Sequence, residues 1–232
     1  MTSGFTQRVI HKYMPFESKV KKVISAGVDA IEISQPCVSH FLKLKLDKKI
    51  LDKLKNVEYI SIHAPRRGII YGNNEITKKT IEKIEELSSK LEIKAIIIHP
   101  DRVEDYSLLE KSELPFLIEN LDSRHPEWAN PSDFIRLKKD FKFGFCLDLA
   151  HCYIFDKSMN LGREFADFFG NRLKEFHVSG YDKGHVPLCI FKDREKIKGI
   201  LKENKKIARI SEGKIYDFYL LKLEIDYLKE II

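Results

Sequence analysis

The chain alternates between two kinds of stretch. Short runs of contiguous apolar and β-branched residues lie at 6–10, 29–34, 58–63, 95–99, 115–119, 142–147, 174–177 and 207–211. Their apolar positions are consecutive rather than every second residue, as expected of strands covered on both faces. Between them, charged stretches place apolar residues at helical spacing. Segment 16–26 presents Val20, Val23 and Ile24, and segment 77–91 presents Ile81, Ile84 and Leu87 with Lys and Glu elsewhere. Further helices are predicted at 131–139, opened by Asn130-Pro131, and at 164–171, 193–203 and 216–229. Gly27 and Gly144 follow helical patterns, where a helix end favours glycine.

Strict strand–helix alternation implies parallel pairing with right-handed crossovers. No Pro/Ser-rich tract or charge block marks a boundary, so residues 1–232 read as one domain. Sharing 232 residues among eight units gives 29 each, close to the roughly thirty that one βα unit needs. The expected fold is an α/β single (β/α)8 TIM barrel, with its site at the C-terminal face of the parallel strands.

Composition narrows the picture. A hydrophobic share of 43% argues for a packed core and against disorder. The net charge of +6 tolerates anionic partners without demanding them. Cys37, Cys146, Cys152 and Cys189 form no metal-finger or C-x-x-C spacing, which fits a reduced, cytoplasmic protein. Cys146 and Cys152 read as packing residues. The N-terminal stretch MTSGFTQRVIHKY lacks the apolar core of a signal peptide, and no run approaches a membrane span.

The chemistry sits at the strand ends. Strand three ends in His63, four in His99, five in Glu119, six in Asp148 followed by His151, seven in His177, and eight in Glu212. Asp182 and His185 follow His177 on a loop. In a barrel these positions converge on one mouth. Singly, each is an ordinary hydrogen-bonded or ion-paired residue. Six such ends in succession fit a binding site for divalent transition metals: imidazole and carboxylate suit Zn best, with Mn, Co or Fe also possible. No organic cofactor is indicated.

The ordered set SIHAP, IIHPD, IEN, LDLAH, EFHVS, then Asp182 and His185, then SEG resembles the xylose isomerase-like TIM-barrel superfamily. That superfamily includes endonuclease IV, UV-damage endonuclease and many sugar isomerases and epimerases. The resemblance implies that Glu119, Asp148, His177 and Glu212 hold a metal shared by both branches. It implies that His63 and His99 hold a neighbouring metal bridged by Glu119, as in endonuclease IV. It implies a third ion at His151, Asp182 and His185. Several features depart from endonuclease IV. Two residues rather than one separate Asp182 from His185, Pro187-Leu188-Cys189 replaces a glycine-rich stretch, and Arg66 and Arg67 follow SIHAP in place of Tyr and Asn.

Two activities follow from the resemblance. One is phosphodiester hydrolysis at abasic or damaged DNA, with a two- or three-metal centre, Arg66 and Arg67 gripping phosphate, and Glu119, Glu212 and His151 in catalysis. The other is a single-metal sugar or sugar-phosphate isomerase or epimerase. There Glu119 or Glu212 would move a proton, and His151 and Lys183 would orient hydroxyls. The presence of both His63 and His99 favours the first.

Overall fold

A computed structural model describes residues 2–6 and 14–231. Strands β1 (Ser3–Thr6), β2 (Ala30–Ser34), β3 (Tyr59–His63), β4 (Ile93–Ile98), β5 (Phe116–Glu119), β6 (Gly144–Asp148) and β7 (Leu173–Val178) run parallel. A small antiparallel hairpin follows, β8 (Gly180–Tyr181) with β9 (His185–Val186), and then β10 (Ala208–Ser211). β10 pairs with both β7 and β1, so the eight long strands close into a barrel. The expected (β/α)8 barrel is the observed one.

Closure explains β1. Gly4 lies where a Cβ would stand 1.7 Å from the Ala30 carbonyl oxygen, so only glycine lets β1 meet β2 there. The first strand was expected at 6–10. It overlaps that segment only at Thr6, and residues 7–10 lie outside the described ones.

Outside the barrel lie α1 (Phe16–Ser25), α2 (Val38–Leu42), α3 (Lys48–Leu54), α4 (Glu75–Ser88), α5 (Tyr106–Glu110), α6 (Ile135–Asp140), α7 (Leu149–Phe155), α8 (Asn160–Phe169), α9 (Arg194–Glu203) and α10 (Phe218–Glu230). Helices α2, α3, α5 and α7 are additions to the sequence reading. They span only five to seven residues, too few for a periodic stripe to declare itself. Gly27 follows α1 with a positive φ of 82°, as expected of a helix terminator. Gly144 does not end a helix. It opens β6, where a Cβ would lie 2.4 Å from a Leu117 methyl.

The outer core is a layer of aliphatic and aromatic side chains between strands and helices. Phe134, Phe145, Phe165 and Phe169 fill the space between β6 and α8, with Phe145 and Phe169 stacked. At the far end, the buried Arg209 donates to the Leu201 and Leu228 carbonyls, which secures the ends of α9 and α10. Near the mouth, the buried Glu224 of α10 accepts from the Leu188 and Cys189 N–H groups and from the Ser211 hydroxyl. That fastens the segment after the hairpin to the strand leading into Glu212. Among the described residues, no helix is long and apolar enough to cross a membrane.

Candidate metal centre

The C-terminal ends of the strands bring together most of the residues singled out above. Glu32, His63, His99, Glu119, Asp148, His151, His177 and Glu212 are all buried. Buried carboxylates and imidazoles at this density require pairing or ligation.

Glu119 is the hub. Its Oε2 lies 3.1 Å from His99 Nε2 and 3.5 Å from His63 Nε2. Its other oxygen, Oε1, lies 2.9 Å from His177 Nδ1. One carboxylate thus faces two separate imidazole sets. Three overlapping groups have ligand atoms mutually within 4.8 Å: His63, His99 and Glu119; Glu119, Asp148 and His177; and Asp148, His151 and His185. Glu212 joins His177 and Glu32 in a fourth. Its two oxygens stand 4.0 Å from His177 Nδ1 and 3.8 Å from His185 Nδ1, between the second and third groups.

His63 and His151 are held from behind. His63 Nδ1 lies 3.1 Å from the Ala64 carbonyl, and His151 Nδ1 lies 2.8 Å from that of Asn120. His99 Nδ1 faces Asp101 at 3.7 Å, and His185 Nδ1 lies 2.8 Å from the Ser179 hydroxyl. Anchoring the far nitrogen aims the near one and fixes its tautomer. Asn120 also ties two strand ends together: its amide donates to the Asp148 carbonyl, and its oxygen accepts from the Asp148 N–H. Asp148 caps α7, with Oδ1 accepting from the Ala150 and His151 N–H groups.

His177 is reversed. Its Nδ1 faces Glu119, and its Nε2 points down the barrel to Glu32 Oε2 at 3.0 Å and Glu175 Oε1 at 3.2 Å. Glu175 in turn accepts from Tyr59 at 2.9 Å and, more weakly, from Ser61 at 3.4 Å. Glu32 and Glu175 were not singled out from the sequence. Glu32 lies in the middle of β2, not at its end. Glu175 sits one inward-facing position below His177, and only the barrel's register brings it under that ring.

The electrostatics follow the packing. Burial would lower the His177 pKa, but the surrounding Cys146, Glu119, Glu32 and Glu212 hold it well above the usual imidazole range. His99 is raised as well: burial works against this, but the Glu119 and Asp101 carboxylates prevail. Burial pushes the Glu119 and Glu32 carboxyls up, yet the neighbouring histidines bring both below the ordinary value. Glu175 is pushed up by burial.

These residues fit a bound cation. Glu119 Oε2 and Asp148 Oδ2 are buried without a well-formed hydrogen bond, although imidazole nitrogens face them at 3.1 to 3.5 Å. A divalent ion between carboxylate and imidazole satisfies both, and the mixed N/O donor set suits zinc-like metals.

Two expected residues stand elsewhere. Asp182 and Lys183 are exposed at the hairpin turn, where Lys183 adopts a φ of 51°. Asp182 joins none of the ligand groups among the described residues and faces a separate cavity with Tyr153 and Tyr181. Tyr181 and His185 pair across the two strands, so the turn carries Asp182 past the centre. Asp148 takes its place in the group with His151 and His185. Cys146 and Cys152 are buried and unpaired. Cys152 packs as expected, while the Cys146 thiol lies within reach of Glu175 and His177.

The centre opens into a cavity of about 350 Å³ lined by His63, His99, Glu119, His151, His185 and Glu212, with Arg66, Arg67, Arg124 and Lys214 also in its wall. The Arg66 and Arg67 N–H groups both donate to the Pro36 carbonyl, which fixes this loop against the one following β2.

No family model and no curated protein matches the sequence. Solved structures do. Endonuclease IV from Thermus thermophilus aligns over 100% of this chain and 98% of its own, with a TM-score of 0.73 and 16% identity. A D-tagatose 3-epimerase-like protein aligns over 100% and 97%, at 0.70 and 20%. The 3-keto-D-glucoside 4-epimerase YcjR from E. coli aligns over 99% of both chains, at 0.65 and 16%. The fold is therefore the (β/α)8 barrel of these structures, in keeping with the resemblance in the sequence. That fold serves both nucleases and sugar epimerases, so activity must be argued from the site.

Proposed function

We propose that this protein is a divalent-metal-dependent phosphodiesterase acting on DNA at abasic or damaged sites. The observation that carries the reading is the placement of Glu119, with His63 and His99 on one oxygen and His177 on the other. A one-metal enzyme does not need that first pair as ligands. His63, His99 and Glu119 would hold one ion. Glu119, Asp148, His177 and Glu212 would hold a second, and Asp148, His151 and His185 form a candidate for a third. Zinc suits the donors best.

Ions so held would supply positive charge against a phosphate and lower the pKa of water at neutral pH. The protein's own groups do the rest. Arg66 and Arg67, beside His63 in the cavity wall, grip the phosphate oxygens in the bidentate manner of guanidinium groups. Glu212, between the second and third groups, is placed to accept a proton from attacking water. His151, held by the Asn120 carbonyl, keeps its Nε2 toward Asp148 at 3.3 Å. Four unpaired thiols fit a cytoplasmic setting.

One observation favours a sugar or sugar-phosphate isomerase as the second reading: about 350 Å³ is the volume of a small-molecule pocket. That reading needs only Glu119, Asp148, His177 and Glu212, with His63 and His99 left to touch hydroxyls. Lys183, exposed on the turn, does not serve it.

The test is cleavage of an oligonucleotide duplex with one abasic site by the metal-loaded protein. Cleavage abolished by Glu119→Gln supports the nuclease. Intact duplex beside metal-dependent epimerisation of a ketose overturns it.

A further inference from the structure

A second recess, of about 150 Å³, opens beside the main cavity. Arg102 and Arg124 line it with Arg66 and Arg67. Arg66, Arg67, Arg124, His99 and His151 also line the main cavity, so the two spaces adjoin and Arg102 belongs to the recess alone. Four guanidinium groups face two carboxylates, Asp101 and Asp122, in this lining, which leaves an excess of positive charge around a small volume.

Asp101 and Asp122 also line this recess, but they lie deep. Their side chains are 8% and 9% exposed, against 38% for Arg102 and 71% for Arg124. Each holds an arginine by its inner edge. Asp122 accepts from Arg124 through Nε and Nη2, and Asp101 Oδ2 lies 2.9 Å from Arg102 Nε. The carboxylates thus fix the guanidinium groups in place while positive charge predominates toward solvent. Preorganised arginines in a recess of a few water volumes match a tetrahedral oxyanion.

We infer that this recess is a second phosphate subsite, one group removed from the phosphate at the metal centre. The inference rests on the phosphodiesterase reading and deepens it: the substrate carries two phosphate groups. The second is either a flanking diester of a DNA strand or a terminal monoester.

The experiment is calorimetric titration of the metal-loaded protein with inorganic phosphate, comparing the native chain with the double variants R102A/R124A and R102Q/R124Q. Bound metal per chain serves as the control for an intact centre. The subsite predicts two phosphate-binding events in the native chain, of which one persists at the metal centre and the other weakens about tenfold or more in both variants, with metal content unchanged. Equal affinity in native and variant chains overturns it. If abasic DNA is cleaved while phosphate affinity is unaffected by either variant, the subsite falls and the nuclease stands. If phosphate binding is lost in the variants but the native chain cleaves no DNA, the subsite stands and the nuclease falls. A mononucleotide bearing a terminal phosphate and a dinucleotide bearing one internal diester separate the sources: whichever loses more affinity in the variants is the chemistry the recess takes.

Discussion

Glu32 and His177 meet at 3.0 Å on the side of the imidazole turned away from the metal centre. The contact joins β2 to β7 across the barrel interior, and both side chains are fully buried. Its consequence is orientation: with Nε2 held by Glu32 and Glu175, Nδ1 has one direction left, toward Glu119. Glu32→Gln keeps the volume and removes the charge. It should weaken metal binding about 10- to 100-fold with little change in fold. Competition with a chelator measures the affinity, and the visible spectrum of the cobalt-substituted protein reports the ligand field. An unchanged spectrum and affinity would show that Glu32 only fills space.

The metal-free protein should show an inverted pH response. His177 and His99 have raised pKa values. Their contribution to stability is therefore complete below the unfolded imidazole value of about 6.5 and fades as pH rises through the folded values. Glu119 and Glu32 are lowered, so theirs is present above about 4.5 and fades as pH falls. After chelation, denaturant midpoints should peak between these limits and decline above pH 6.5. Metal uptake needs neutral imidazole, so it should strengthen over that same upper range. A chelated protein that grows steadily more stable from pH 6.5 to 9 would contradict this assignment of charge.

Gly180 sets the hairpin that carries His185. A Cβ there would stand 2.2 Å from Phe191 Cγ. Gly180→Ala should cost about 1–3 kcal/mol and disturb the group that contains His185 before the one at His63 and His99. Thermal unfolding and metal content read the two effects separately.

Thiol chemistry should rank the four cysteines. The Ser39 hydroxyl and N–H beside Cys37 lower its pKa. Burial raises Cys146 and Cys152 far above the usual range and pushes Cys189 up to about 12. At pH 8, iodoacetamide should modify Cys37 first by a wide margin. Peptide mapping after brief exposure decides the order, and early labelling of Cys189 would contradict it.

The convergence of the centre's side chains at one mouth was legible in the sequence. His63, His99, Glu119, Asp148, His177 and Glu212 could be read because each ends an apolar run, and a parallel barrel gathers such ends at one mouth. Asp182 lies on a turn, where conformation follows no period, and stands outside the ligand groups found among the described residues. Glu175 was silent because it lies inside a strand and gains meaning only from Tyr59 and His177, 116 residues and two residues away along the chain. Arg124 and Lys214 were silent because loop cations acquire a role only from what they surround. The short helix α7 escaped because its sequence, LAHCYIF, is apolar nearly all round.

The central claim is that His63 and His99 serve an ion of their own, distinct from the one at His177. Metal analysis of the native protein and of the His63→Ala/His99→Ala variant tests it most directly. The account predicts two or more divalent ions per native chain and the loss of one in the variant, with the remainder still bound. A single ion in the native protein, or the same number in both, would contradict it.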